Sequence, residues 1–177
     1  MEFDFVILDE TESTNSEALK LAKFTDKPTI VVAKKQTNGR GRIDRSWLDP
    51  SGNFSGSILI KIDEDLQSLA LRSFVAALAV FDAIDQKISK EHELVIKWPN
   101  DLLLNGKKIC GILLETRNFG TVSALVIGIG INLLSSPNLD KIKNITIKPG
   151  SILSETGIKL DPIDFSELIA HHYALRE

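Results

Sequence analysis

A single cysteine, Cys110, rules out an intrachain disulfide framework and suits a reducing compartment. The N-terminus, Met1-Glu2-Phe3-Asp4, has neither the basic nor the long apolar stretch of a signal peptide. No apolar run approaches the roughly 18–20 residues of a membrane span, so no membrane partner is expected and the localisation reads as cytoplasmic. The net charge of −3 provides no global basic field to hold nucleic acid. No internal repeat or low-complexity segment is visible. What remains is an ordinary soluble composition, 43% hydrophobic and 25% charged, in 177 residues, which suggests one domain, 1–177, with a sizeable core.

Against that background one stretch stands apart: Gln36-Thr37-Asn38-Gly39-Arg40-Gly41-Arg42-Ile43-Asp44-Arg45-Ser46-Trp47. Gly39 and Gly41 permit close approach of backbone to a ligand. Arg40, Arg42 and Arg45 present planar forks of donors that match phosphate or carboxylate oxygens. Trp47 adds a flat apolar face on which a base can stack. The stretch reads as a loop that closes over a small anionic, aromatic ligand such as a nucleotide; a solvated basic loop is the plainer alternative.

Elements flank this loop. Phe3 to Leu8 reads as a strand, and Ser13 or Thr14 caps a helix with Glu17 as capping-box partner, carrying Leu19, Ala22 and Phe24. Hydroxyls and an amide at that helix start, Ser13-Thr14-Asn15, also form a polar corner beside free N–H groups. Thr29 to Ala33 is a β-branched strand. The Gly/Arg loop then runs about 18 residues without a period, to Asn53. Ser57 to Ile62 is the next strand. Leu66 to Ile88 is the clearest helix, with Leu66, Ala70, Phe74, Leu78, Phe81 and Ile88 on one stripe facing the core.

Leu94-Val95-Ile96 opens a strand that reaches Lys97-Trp98-Pro99-Asn100-Asp101 and resumes at Leu102 to Leu104. Asn105-Gly106 is a hairpin turn, and Lys107 to Glu115 returns antiparallel, with Lys108 near the turn. Gly111 in that strand marks a bulge or a close approach. Asn118-Phe119-Gly120 turns the chain into a strand from Thr121 to Ile131. Gly128-Ile129-Gly130-Ile131-Asn132 lacks the spacing and following helix of a dinucleotide fingerprint. Ser151 caps a short helix to Thr156 with Gly157 as its stop, and Asp161-Pro162 starts a last helix, Ile163 to about Leu175. His171 and His172 read as surface residues.

Taken together, Ser13-Thr14-Asn15, Gln36 with Gly39-Arg40-Gly41-Arg42 through Arg45 and Trp47, Lys97-Trp98-Pro99-Asn100-Asp101, Lys108-Ile109-Cys110-Gly111-Ile112-Leu113 and Gly128-Ile129-Gly130-Ile131-Asn132 resemble the motifs of the biotin protein ligases, in order, from about residue 5 to 134. The resemblance implies an α+β fold: a mixed, largely antiparallel sheet backed by helices, similar to the class II aminoacyl-tRNA synthetase core. It implies ATP-dependent activation of biotin to biotinyl-5′-AMP, then transfer to a lysine of a biotin carboxyl carrier domain of a biotin-dependent carboxylase, by a monomer or homodimer. Ser13, Thr14, Asn15 and Gln36 would meet the biotin ureido ring, with Gly39, Gly41 and Gly111 beside the ligand. Arg40 and Arg42 would hold the biotin carboxylate and the α-phosphate, with Lys108 on the same phosphate. The catalytic set is thus Lys108, Arg42 and Arg40. Trp47 would stack on adenine, with Arg45, Asn100, Asp101 and Asn132 around the nucleotide, and Asp101 contributing to Mg²⁺.

Two departures follow from the same comparison. The family's regulatory members carry an N-terminal DNA-binding domain that is not expected here, and the usual small C-terminal β domain is absent or cut away. The rival readings are a lipoate ligase or octanoyltransferase, for which Cys110 is the one candidate nucleophile, and a non-enzymatic nucleotide-binding module.

Overall fold

The segment Phe54-Ser-Gly-Ser-Ile-Leu-Ile-Lys-Ile62 is buried at every position but Lys61, so it must lie inside a sheet covered on both faces. The computed structural model describes residues 1–43, 45–62, 66–120, 123–141 and 146–177. Its elements are β1 (Asp4–Leu8), α1 (Thr14–Leu21), β2 (Thr29–Ala33), β3 (Gly39–Arg40), β4 (Ser46–Trp47), β5 (Phe54–Ile62), α2 (Leu66–Asp85), β6 (Leu94–Lys97), β7 (Asp101–Leu104), β8 (Lys107–Asn118), β9 (Ser123–Ile131), α3 (Ile152–Thr156) and α4 (Pro162–Arg176). Among the described residues seven strands form one sheet in the order β1-β2-β5-β9-β8-β7-β6, and β3 pairs with β4 separately. Only the β1–β2 pairing in the large sheet is parallel. The expected mixed, largely antiparallel sheet backed by helices is therefore borne out. Among the described residues no helix is long and apolar enough to cross a membrane.

Alternation along the strands sorts the two faces. Ile30, Val32, Ile58, Ile60, Leu125 and Ile127 join the main core with α2 and α4. Val31, Leu59, Ala124 and Val126 point the other way and pack under Ala18 of α1 and its C-cap, Ala22. That second face continues past the start of α1, where its residues become small: Ser57, Gly128, Gly130 and Gly111, the last two paired in register. The change from branched to small side chains at the helix N-terminus leaves a trough.

Several expectations are corrected. Helix α1 ends at Leu21, and Phe24 lies beyond it, 84% exposed, in a turn whose N–H groups bond back to Leu21. Ser13 is its cap, so the third helical position is Ser16, and Glu17 instead takes hydrogen bonds from Thr11 and Lys20. The long loop is not structureless: Gly39 pairs with Trp47 and Arg40 with Ser46. Helix α2 stops at Asp85 and buries Ala76, Ala77, Ala79, Val80, Ala83 and Ile84, while Leu78 is exposed. Of the expected stripe, Phe81 packs against the main core and Ile88, just past the helix, lies within it, so Leu78 is the member left exposed. The side chains of Leu66 and Ala70, and Thr121 as a strand start, lie outside the described residues. Leu102 does not resume the earlier strand; the chain reverses, and Lys97 pairs with Asp101 across the turn.

Asn105 and Gly106 both take positive φ, the conformation a two-residue hairpin requires. The irregularity of β8 sits not at Gly111 but at Ile109, since Leu102 pairs with Cys110 and Leu103 with Lys108. This bulge puts both Ile109 and Cys110 in the main core. It also puts Lys108 on the trough face with Gly111, three residues away, where a regular strand would point the two side chains apart. His172 is half-buried, with Nδ1 3.9 Å from Asp82, so it is not the unpartnered surface residue expected; His171 is exposed.

Candidate active site

The trough is the floor of a cavity of about 860 Å³, a volume suited to a small ligand. Ser13, Thr14 and Asn15 at the start of α1, and Gln36, line one end. All three α1 residues are buried. Gln36 Oε1 accepts from Thr14 N at 2.9 Å and from Thr14 Oγ1 at 3.2 Å, satisfying one of the unpaired N–H groups at the helix start. The Ser57 hydroxyl lies 2.6 Å from Asn15 Oδ1 and 2.8 Å from Thr14 Oγ1. Asn15 rests on Gly128: a Cβ there would come within 2.3 Å of its Oδ1.

The Gly/Arg loop forms the roof. Gly39 is buried opposite Trp47, and Gly41 N donates to Arg45 O at 2.6 Å. The Trp47 indole lies on the glycines of the floor, so closely that a Cβ at Gly130 would come within 2.3 Å of its Cε2. Arg40 does not point free into the cavity; its guanidinium donates to Glu115 and Ser16. Arg42 is exposed and donates to Asn100 Oδ1 at 3.1 Å, and Arg45 is exposed at the cavity wall.

Lys108 stands at the other end, its Nζ 2.7 Å from Asp101 and 5.9 Å from the centre of the Trp47 ring. Its backbone is clamped by the 148–150 segment, with N donating to Lys148 O and O accepting from Gly150 N. Asn100 Nδ2 donates to Ile112 O, bracing the β6–β7 turn on β8. Asn132 is buried; its Nδ2 donates to Gly150 O, and its Oδ1 finds no donor among the described residues. Every substrate-site residue that the resemblance assigns, except Gly39, thus lines this one cavity; Gly39 supports its roof, and Cys110 lies in the main core instead.

Among the residues that the sequence did not mark out, three brace the site. Ser57 and Glu115 carry the hydrogen bonds behind the α1 corner, and Asp49 accepts from Gln36 N at 3.1 Å, tying the two ends of the loop together. Burial, outweighing that hydrogen bond, holds the Asp49 carboxyl above its ordinary pKa. The folded protein therefore binds this proton more readily than the unfolded chain does. Ionised Asp49 lowers stability at neutral pH, and the loss disappears as pH falls through the raised folded value. Asp49→Asn should accordingly melt at a higher temperature than the wild type at pH 7. The gap should close toward pH 4 in thermal melts; an equal gap at every pH contradicts this account.

The comparisons agree with this geometry. Residues 6–132 match the model of the biotin/lipoate A/B protein ligase family. The chain is 43% identical over 169 residues to a biotin–[acetyl-CoA-carboxylase] ligase of Paracoccus denitrificans, covering 95% of this chain and 70% of that one. It is 39% identical to the bifunctional ligase/repressor BirA of Bacillus subtilis, covering 86% of this chain but only 47% of the relative's length. Among solved structures, the biotin protein ligase of Leishmania major in complex with biotinyl-5-AMP superposes with a TM-score of 0.80 at 26% identity, covering 96% of this chain and 73% of that one. The chain belongs to the biotin/lipoate A/B protein ligase family.

Proposed function

We propose that this chain is an ATP-dependent biotin protein ligase. The carrying observation is one cavity with a neutral donor–acceptor corner at one end and cations at the other, joined by a glycine floor. The corner of Ser13, Thr14, Asn15 and Gln36 suits a ureido ring, which is neutral and both donates and accepts. Arg42, Arg45 and Lys108 suit phosphates, and Arg40 stands between the two ends. In the first step a biotin carboxylate oxygen attacks the α-phosphorus of ATP and pyrophosphate leaves. Lys108 and Arg42 offset the charge on the phosphoryl oxygens and bring two anions together despite their repulsion. In the second step a carrier lysine, having given up a proton, attacks the acyl carbon and AMP leaves. Trp47 closes over the adenylate and excludes water.

Among the described residues no group of three His, Cys, Asp or Glu is placed to cage a metal. The oxygen donors of Asp101 and Asn132 fit a Mg²⁺, which these residues would hold together with the nucleotide's phosphates. When bound, such an ion neutralises phosphate charge. The acceptor is a biotin carboxyl carrier domain, and the cytoplasm supplies ATP and keeps Cys110 reduced.

Cys110 gives no support to cysteine-based acyl transfer. It is fully buried, and burial pushes its thiol far above the ordinary range. Cys110→Ala should retain most activity with a packing loss of ~1 kcal/mol, measured by chemical denaturation and turnover; a folded but inactive variant would revive the thiol as nucleophile. The ligase reading itself is tested by incubating the protein with ATP and biotin, lipoate or octanoate in parallel. Pyrophosphate release should require biotin, and mass spectrometry of a carrier domain should show one added biotinyl group. Release driven by lipoate or octanoate instead would overturn it.

A further inference from the structure

Glu115 stands behind the cavity wall, on the trough face of β8 beyond Gly111 and Leu113, and touches two residues that line it. Its Oε2 accepts from Asn15 Nδ2 at 2.6 Å and from Arg40 Nη2 at 2.9 Å. Arg40 also reaches Oε1 at 3.2 Å and Ser16 Oγ, through Nη1, at 3.0 Å. A carboxylate only accepts hydrogen bonds, whereas an amide can turn either end outward. Glu115 therefore draws the NH₂ of Asn15 toward itself. That leaves Asn15 Oδ1 to accept from the Ser57 hydroxyl. With the Ser57 proton committed there, the Thr14 hydroxyl must give its own proton elsewhere, to Gln36 Oε1 or to Ser57 Oγ. One acceptor-only group thus orders the direction of hydrogen bonding through Asn15 and Ser57 and obliges the Thr14 hydroxyl to donate, while Gln36 Oε1 is held as an acceptor by the Thr14 backbone N–H; the same group anchors the Arg40 end of the roof.

We propose that Glu115 is a positioning residue for biotin. It sets which atoms of the α1 corner donate and which accept, and it holds β3 of the roof against β8 through Arg40. The assignment rests on the ligase reading for its substrate, but not for its structural content. Glu115→Gln keeps the shape and removes the acceptor-only character, so Asn15 becomes free to turn. It should raise the biotin KM about tenfold, the size expected for mismatching one buried polar pair, with kcat and the ATP KM little changed. Glu115→Asp keeps a carboxylate and should recover part of that loss. Combined with Asn15→Ala, the glutamine variant should add little, because both changes break one network.

Amide exchange at residues 39–47 in the substrate-free protein should speed up in Glu115→Gln, independently of turnover. Unchanged exchange together with an unchanged biotin KM overturns the proposal, as does an aspartate variant worse than the glutamine one, which would mean that Glu115 only fills space. If the wild-type protein makes no biotinyl adenylate, the ligase reading fails, while the exchange result still decides whether Glu115 anchors the roof.

Discussion

Lys108→Ala should slow adenylate formation by about 10²–10³-fold, the loss seen when one preorganised donor is removed from a developing charge. The expectation rests on how firmly the ammonium is placed. The bulge at Ile109 aims Lys108 into the trough, the 148–150 segment clamps its backbone, and Asp101 lies 2.7 Å from its Nζ. The side chain is two-thirds covered, so its field is only partly screened by water. A compact ammonium suits the single oxygen on which charge grows, whereas the forks of Arg42 and Arg45 suit the ground-state phosphates. The loss should therefore fall on kcat, with biotin and ATP affinities much less affected. Steady-state pyrophosphate release with each substrate varied separately reads this directly. A variant that raises only the biotin KM and keeps kcat would place Lys108 in ground-state binding.

Gln36→Ala should show the opposite pattern, weakening biotin binding by about 1–3 kcal/mol. Its Oε1 satisfies both the backbone N–H and the hydroxyl of Thr14 in a buried corner, and its own N–H is held by Asp49. Truncation leaves those donors without an acceptor and removes a polar partner from the α1 corner. Adenylation at saturating biotin should change little, because Gln36 stands at the far end of the trough from Lys108. Titration calorimetry with biotin alone measures the first effect. Unaltered affinity would sever Gln36 from the ureido ring.

How much of this was legible beforehand depended on the range of the interaction. Turn chemistry is local, so Asn105-Gly106, Ser151 with Gly157, and Asp161-Pro162 mark elements where the chain forms them. The motif residues could be picked out by type, since forks of donors, an indole and a polar helix start announce themselves. What failed includes the contacts that depend on a partner distant in the chain. Phe24 and Leu78 followed apolar periodicity to positions that tertiary packing leaves exposed. Glu115 looked like any acidic residue near a strand end, because its partners Asn15 and Arg40 lie 100 and 75 residues away. The reversal between Lys97 and Asp101 was hidden because apolar residues continue on both sides of it.

The extra residue at Ile109 carries a consequence for how variation in this region should be read. Between Lys108 and Gly111 the arrangement of the trough is written in a count as well as in identities. Deleting one residue there leaves composition and hydrophobicity almost untouched, yet it restores strict two-residue parity and turns the ammonium toward Leu102 and Leu104. A chain that preserves every motif letter but differs by one position in this spacing would keep the vocabulary of the site and lose its grammar.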